Sequence, residues 1–141
     1  MQTSLSPTDD LVWAIGEAHV ILLVEDDDAT RDVMAAVLRS GGHDVQTAAN
    51  GREALDLLDG DLPSVTFSDL DMPVMSGWAF RRFQLGSARL RGIPFVIVSA
   101  MFTVEEDGRE LVAAMALRKP VEAADLLECA RRFDQPAPAS R

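Results

Sequence analysis

The chain has 141 residues, 48% hydrophobic and 26% charged, with a net charge of −10 at pH 7. That is apolar material for the core of one domain, and the acidic balance argues against a protein that grips nucleic-acid phosphates, which needs a basic face. No apolar run approaches the ~20 residues of a membrane span, residues 1–10 are too polar for a signal peptide, and a lone cysteine, Cys129, excludes a disulfide framework or a Cys-based metal site. The expectation is a cytoplasmic protein with neither nucleic acid nor membrane as partner.

Five short apolar runs alternate with five helical patterns. Residues 1–18 stand outside this alternation as an N-terminal extension. Leu11, Val12, Trp13 and Ile15 give it a short amphipathic turn, and Trp13 is a candidate anchor for a partner or a homodimer. The run 19–24 opens the sheet, and its residues 20–24 are continuously apolar, as in a strand buried on both faces of a parallel sheet. Asp28 is placed to cap a helix that ends near Gly41-Gly42 with Val33, Val37 and Leu38 inward. His43 lies in the loop that follows and, like His19, has no partner set for metal or general-base work, so both read as structural.

Residues 45–49 alternate more and suit an edge strand. Asn50-Gly51 opens a second helix with Ala54, Leu55 and Leu58 inward, and residues 65–68 form the third strand. Ser76-Gly77 opens a third helix with Phe80 and Phe83 inward. Trp78 is placed either to pack on that helix or to meet a partner. Residues 95–99 read as a second fully buried strand. A helix over 104–114, a strand over 115–117 and a helix over 122–133 follow, the last with Ala123, Leu127 and Ala130 aligned. The tail 134–141 holds Pro136 and Pro138 and reads as flexible. Strand–helix alternation repeated in this way implies an α/β fold, a doubly wound parallel sheet with helices on both faces.

Ligands of open α/β sheets bind at the carboxyl ends of the strands. Those ends deliver Glu25-Asp26-Asp27-Asp28 from the first strand, Asp69-Leu70-Asp71 from the third, Ser99 from the fourth and Lys119-Pro120 from the fifth. Lys119 is the sole lysine of a chain whose other strongly basic side chains are all arginine. A compact ammonium aims one charge at one oxygen, which the planar arginine fork does not. Carboxylates gathered within a few ångströms repel unless a cation sits among them, and all-oxygen ligands select a hard ion such as Mg²⁺. Mg²⁺, carboxylates and one lysine are equipment for phosphoryl transfer, with an aspartate able to act as nucleophile. The bland alternative is an acidic loop that is solvated surface, with Asp28 a plain helix cap.

These residues resemble the receiver domain of response regulators in two-component signalling. The match is carried by Val24-Glu25-Asp26-Asp27 with Arg31 downstream, Asn50-Gly51-Arg52-Glu53-Ala54-Leu55, Asp69-Leu70-Asp71-Met72-Pro73-Val74-Met75-Ser76-Gly77, Val98-Ser99-Ala100 and Lys119-Pro120. It covers about residues 19–133. The resemblance implies a five-stranded parallel sheet of flavodoxin-like order 2-1-3-4-5. It implies that Asp69 accepts a phosphoryl group from a phosphohistidine on a histidine kinase or a histidine phosphotransfer protein. Glu25, Asp26, Asp69 and the backbone carbonyl of Asp71 would hold Mg²⁺. Lys119, Ser99 and the backbone N–H of Ala100 would contact the phosphoryl oxygens, and the Lys119–Pro120 bond would be cis. Output would pass to a downstream protein target by contact. The chain would be a stand-alone receiver, no enzyme beyond its own phosphorylation and dephosphorylation.

Three features depart from the family pattern. Ala116 stands three positions before Lys119, where receivers usually carry a switching aromatic. The segment from Ser99 to Lys119 is short and lacks the usual Gly-Ala, so a short, displaced or mobile fourth helix is expected. Asp71 and Met101 occupy the positions that tune phosphate lifetime. Two other readings compete. One is a pseudo-receiver that binds partners without phosphorylation. The other is a phosphatase using Asp69-x-Asp71 as nucleophile and acid, although that motif belongs on the first strand of a much longer chain.

Overall fold

The computed structural model describes residues 20–100 and 104–135. The N-terminal extension with Trp13, together with His19, Met101 and residues 136–141, lies outside the described residues. The elements are β1 (Val20–Val24), α1 (Asp28–Ser40), β2 (Asp44–Ala48), α2 (Gly51–Leu57), β3 (Val65–Ser68), α3 (Gly77–Leu85), β4 (Phe95–Ser99), α4 (Val104–Glu110), β5 (Met115–Arg118) and α5 (Ala123–Phe133). The five strands form one sheet in the order β2-β1-β3-β4-β5, and every pairing is parallel. β2 lies at an edge, as its alternation predicts.

Successive strand residues point to opposite faces, so β1 feeds two cores. Leu22 and Val24 join Ala54, Leu55, Leu58, Phe80, Phe95 and Ile97 under α2 and α3. Ile21 and Leu23 join Leu38, Phe67, Val96, Val98, Leu126 and Ala130 under α1 and α5. Among the described residues, no helix is long and apolar enough to cross a membrane.

Side-chain caps start three of the helices. Asn50 accepts from the Glu53 N–H and Ser76 from the Ala79 N–H, both as the sequence places them. For α1 the cap is Asp27, one residue earlier than expected. Its extended backbone (φ −79°, ψ 118°) lets it accept from the Thr30 N–H. Asp28 is already helical and pairs instead with Arg31, at 2.6 Å.

Three inward-facing assignments also change. The buried face of α1 is Met34, Ala35 and Leu38, and Val33 is exposed. Five residues from Leu38 is about 140° around the helix, away from the core. In α3, Phe80 is buried and Phe83 exposed, because Arg81 and Gln84 complete the inward face. In α5 the buried residues are Leu126, Cys129 and Ala130, with Ala123 exposed in the first turn. Finally, α4 ends at Glu110 rather than Ala114. Val112 takes a left-handed φ of 51°, which stops the helix.

Candidate phosphoryl-acceptor site

The sheet brings four strand ends together. Pairing of Val24 with Ser68 aligns the ends of β1 and β3, so Glu25 and Asp69 leave the sheet side by side. The Asp69 N–H donates to the Val24 carbonyl at 3.0 Å and the Glu25 N–H to the Ala48 carbonyl at 2.9 Å, which fixes both backbones. On the other side the Lys119 N–H donates to the Ser99 carbonyl at 3.1 Å. The Lys119–Pro120 bond is cis, as the resemblance implies.

Lys119 lies at the centre. Its Nζ is 2.5 Å from Glu25 Oε1 and 2.9 Å from Asp69 Oδ2. Burial disfavours the ammonium, but the hydrogen bonds to the two carboxylates outweigh it and hold the lysine above its ordinary value. Glu25 is buried and pushed upward, chiefly by that burial, with the negative charge of Asp69 adding to it. Lys119 and the Asp27 N–H, which donates to Glu25 Oε2 at 3.0 Å, work in the opposite direction. Asp69 is buried too, and its Oδ1 accepts from the Leu70 N–H at 2.7 Å.

Asp26 is exposed, yet one carboxylate oxygen each from Glu25, Asp26 and Asp69 lie within 4.8 Å of one another. Three hard oxygen donors at that spacing suit a small divalent cation. Lys119 supplies only part of the neutralisation they need. Asp71 is exposed in the loop after β3, Ser99 is buried at the end of β4, and Ala100 is exposed just beyond. The structure thus bonds Lys119 to Glu25 and Asp69, brings Asp26 within 4.8 Å of both carboxylates, and places Ser99, Ala100 and Asp71 on the adjoining strand ends.

The loop after Asp69 is held tightly. The Gly77 N–H donates to the Leu70 carbonyl at 2.8 Å, and a Cβ on Gly77 would lie 2.1 Å from the Asp69 carbonyl oxygen. Only glycine fits there. Arg31 closes the opposite side, donating to the Glu25 carbonyl at 2.9 Å and to Asp28 at 2.6 Å.

Several contacts escape local sequence reasoning. Arg81 is buried with no carboxylate partner among the described residues. It donates to the carbonyls of Leu111 (2.7 Å), Val112 (3.0 Å) and Ile93 (3.3 Å), and its guanidinium carbon lies 5.0 Å above the centre of the Phe95 ring. Trp78 donates its indole N–H to Asp107 at 3.1 Å. His43, read from the sequence as structural, sits 2.6 Å from Asp134 through Nδ1, and Asp134 also accepts from the Ser64 hydroxyl. The partner lies far along the chain, so no local signal could have found it.

A doubly wound parallel domain with an acidic pocket and a lysine at its carboxyl edge is the architecture of signalling receivers. The chain belongs to that family: residues 21–131 match the response regulator receiver domain. It is 36% identical to the response regulator MprA of Mycolicibacterium vanbaalenii over 109 residues, which is 76% of this chain and 46% of that protein. It is 34% identical to the sensor histidine kinase RcsC of Salmonella typhimurium over 123 residues, 84% of this chain and 13% of that protein. The chain therefore spans less than half the length of either. Among solved structures, the chemotaxis protein CheY4 of Vibrio cholerae superposes with a TM-score of 0.75 at 29% identity, covering 82% of this chain and 98% of that one.

Proposed function

We propose that this chain is a Mg²⁺-dependent phospho-receiver spanning residues 19–133, whose acceptor is Asp69. Its phosphoryl donor would be a phosphohistidine on a histidine kinase or a histidine phosphotransfer protein. The observation that carries the reading is Lys119 bonded to both Glu25 and Asp69, with Asp26 completing a three-carboxylate cluster.

In the transfer, an Asp69 oxygen attacks phosphorus as the P–N bond breaks. The imidazole nitrogen keeps the bonding pair and takes up a proton. Glu25, Asp26, Asp69 and the Asp71 carbonyl would hold the metal, which when bound neutralises charge on the phosphoryl oxygens. Lys119, the Ser99 hydroxyl and the Ala100 N–H donate to the phosphoryl oxygens. Output follows by contact with a downstream protein, in the cytoplasm.

The test is intact mass after incubation with acetyl phosphate and Mg²⁺. Gain of one phosphoryl group is expected, absent in Asp69→Asn and absent without metal. No gain, together with no binding of beryllofluoride, would replace this reading with a pseudo-receiver. Ala116, half-buried against the core with no side chain to switch, is the feature that favours that alternative.

A further inference from the structure

α4 is a short helix held by polar contacts. Of its described residues, Asp107 and Gly108 are half-buried and Arg109 and Glu110 exposed, and the buried apolar anchor, Leu111, lies just past its end. Among the described residues, three of its ties come from successive turns of α3. Trp78 Nε1 donates to Asp107 at 3.1 Å. Arg82 pairs with Glu110 at 2.6 Å. Between them Arg81 takes the Leu111 and Val112 carbonyls at the C-terminal end of α4. These contacts lie along one face and one edge of a single nine-residue helix.

The first residue of α3 is Gly77, the residue packed without slack on the Asp69–Leu70 backbone. Its N–H is bonded to the Leu70 carbonyl, and no room remains between its Cα and the Asp69 carbonyl oxygen. A change in the Asp69 backbone therefore cannot leave the start of α3 where it was. Packed elements move as units rather than deforming continuously, so α3 carries the change to its own contacts with α4. On the other side of the site, the strand β5 offers only Ala116, which has no rotamer to change.

We propose that the α3–α4 strap of Trp78–Asp107 and Arg82–Glu110, braced by buried Arg81, transmits the state of Asp69 to α4. It would stand in this chain for the aromatic switch that Ala116 cannot provide. The inference rests on the phospho-acceptor reading above. The exposed Arg82–Glu110 pair contributes little by itself. The indole–carboxylate bond is charge-assisted and more directional, so it dominates the coupling, and the Arg81 contacts set the geometry in which it forms.

The experiment is hydrogen exchange over residues 104–112 with and without acetyl phosphate and Mg²⁺, alongside intact mass on the same samples. The wild type is compared with Trp78→Phe/Arg82→Gln and, in case that variant folds poorly, with Asp107→Ala. The wild type is expected to change its exchange in 104–112 on phosphorylation. The variants are expected to gain the same mass and lose that change. Equal mass gain with an undiminished α4 response overturns the strap, and so does a phosphorylated wild type whose α4 does not respond. Absence of mass gain in the wild type instead removes the acceptor reading and this inference with it.

Discussion

Glu25 and Asp69 illustrate what a buried acidic site demands of single residues. Burial penalises the Glu25 carboxylate more than Lys119 and the Asp27 N–H compensate, so its proton is held more tightly than at the ordinary value of 4.5. A raised acid costs stability once ionised. That cost is absent below pH 4.5 and fully present above the raised value. Glu25→Gln should therefore stabilise the metal-free protein at pH 7 while leaving it nearly unchanged at low pH. Urea denaturation in EDTA at both pH values checks this, and the same variant should bind Mg²⁺ more weakly. Cys129 gives a second residue-scale prediction. Burial pushes its thiol up to about 11, which leaves almost no thiolate at pH 8. Ellman's reagent should label it slowly in the native protein and rapidly in guanidinium, and fast native labelling would mean that α5 opens.

At the scale of elements, α4 depends on α3. Arg81 is a cation placed in the core with carbonyls rather than carboxylates as partners, and burial lowers its pKa accordingly. Arg81→Met keeps the apolar stem and strands the Leu111 and Val112 carbonyls, since the Ile93 carbonyl is also bonded by Gln84. The expected destabilisation is about 1–3 kcal/mol, the cost of leaving buried acceptors unpaired, with hydrogen exchange rising most in residues 107–115. Arg81→Lys should rescue little of it, because one ammonium cannot span several carbonyls in the plane of a guanidinium. The sequence led to the expectation of a short, displaced or mobile helix here. It did not show why it holds its place, because the donors lie on another helix some thirty residues earlier.

For the whole molecule, His43, Ser64 and Asp134 join the start of β2, the approach to β3 and the end of α5 at the edge opposite the acidic site. The His43 and Asp134 side chains are fully buried. Asp134→Ala would leave both His43 nitrogens unpaired, adding to an Nε2 that already lacks a hydrogen bond. A loss of about 1–3 kcal/mol is expected, read as a lower thermal midpoint with the acidic site intact. A midpoint unchanged within error would show that the cluster adds nothing to global stability.

The strand order came with the resemblance to receivers, whereas the sequence by itself determined the alternation of strands and helices, the two-faced burial of β1 and β4, and the identity of the clustered acidic and basic groups. Each of these is written locally, in apolar runs, capping residues and the motif around Asp69. Helix phase was less legible: Val33 is apolar yet exposed because it lies about 140° around α1 from Leu38, and Phe83 because Arg81 and Gln84 claim inward positions of α3 that composition assigns to hydrophobes. Tertiary structure alone decided which distant groups meet. Lys119 lies between Glu25 and Asp69 because parallel pairing aligns the strand ends, and Trp78, Arg81 and His43 find partners far along the chain because helices pack across a sheet. A polar side chain's partner is set by folded distance rather than by sequence spacing, and that distance exists only once the sheet has formed.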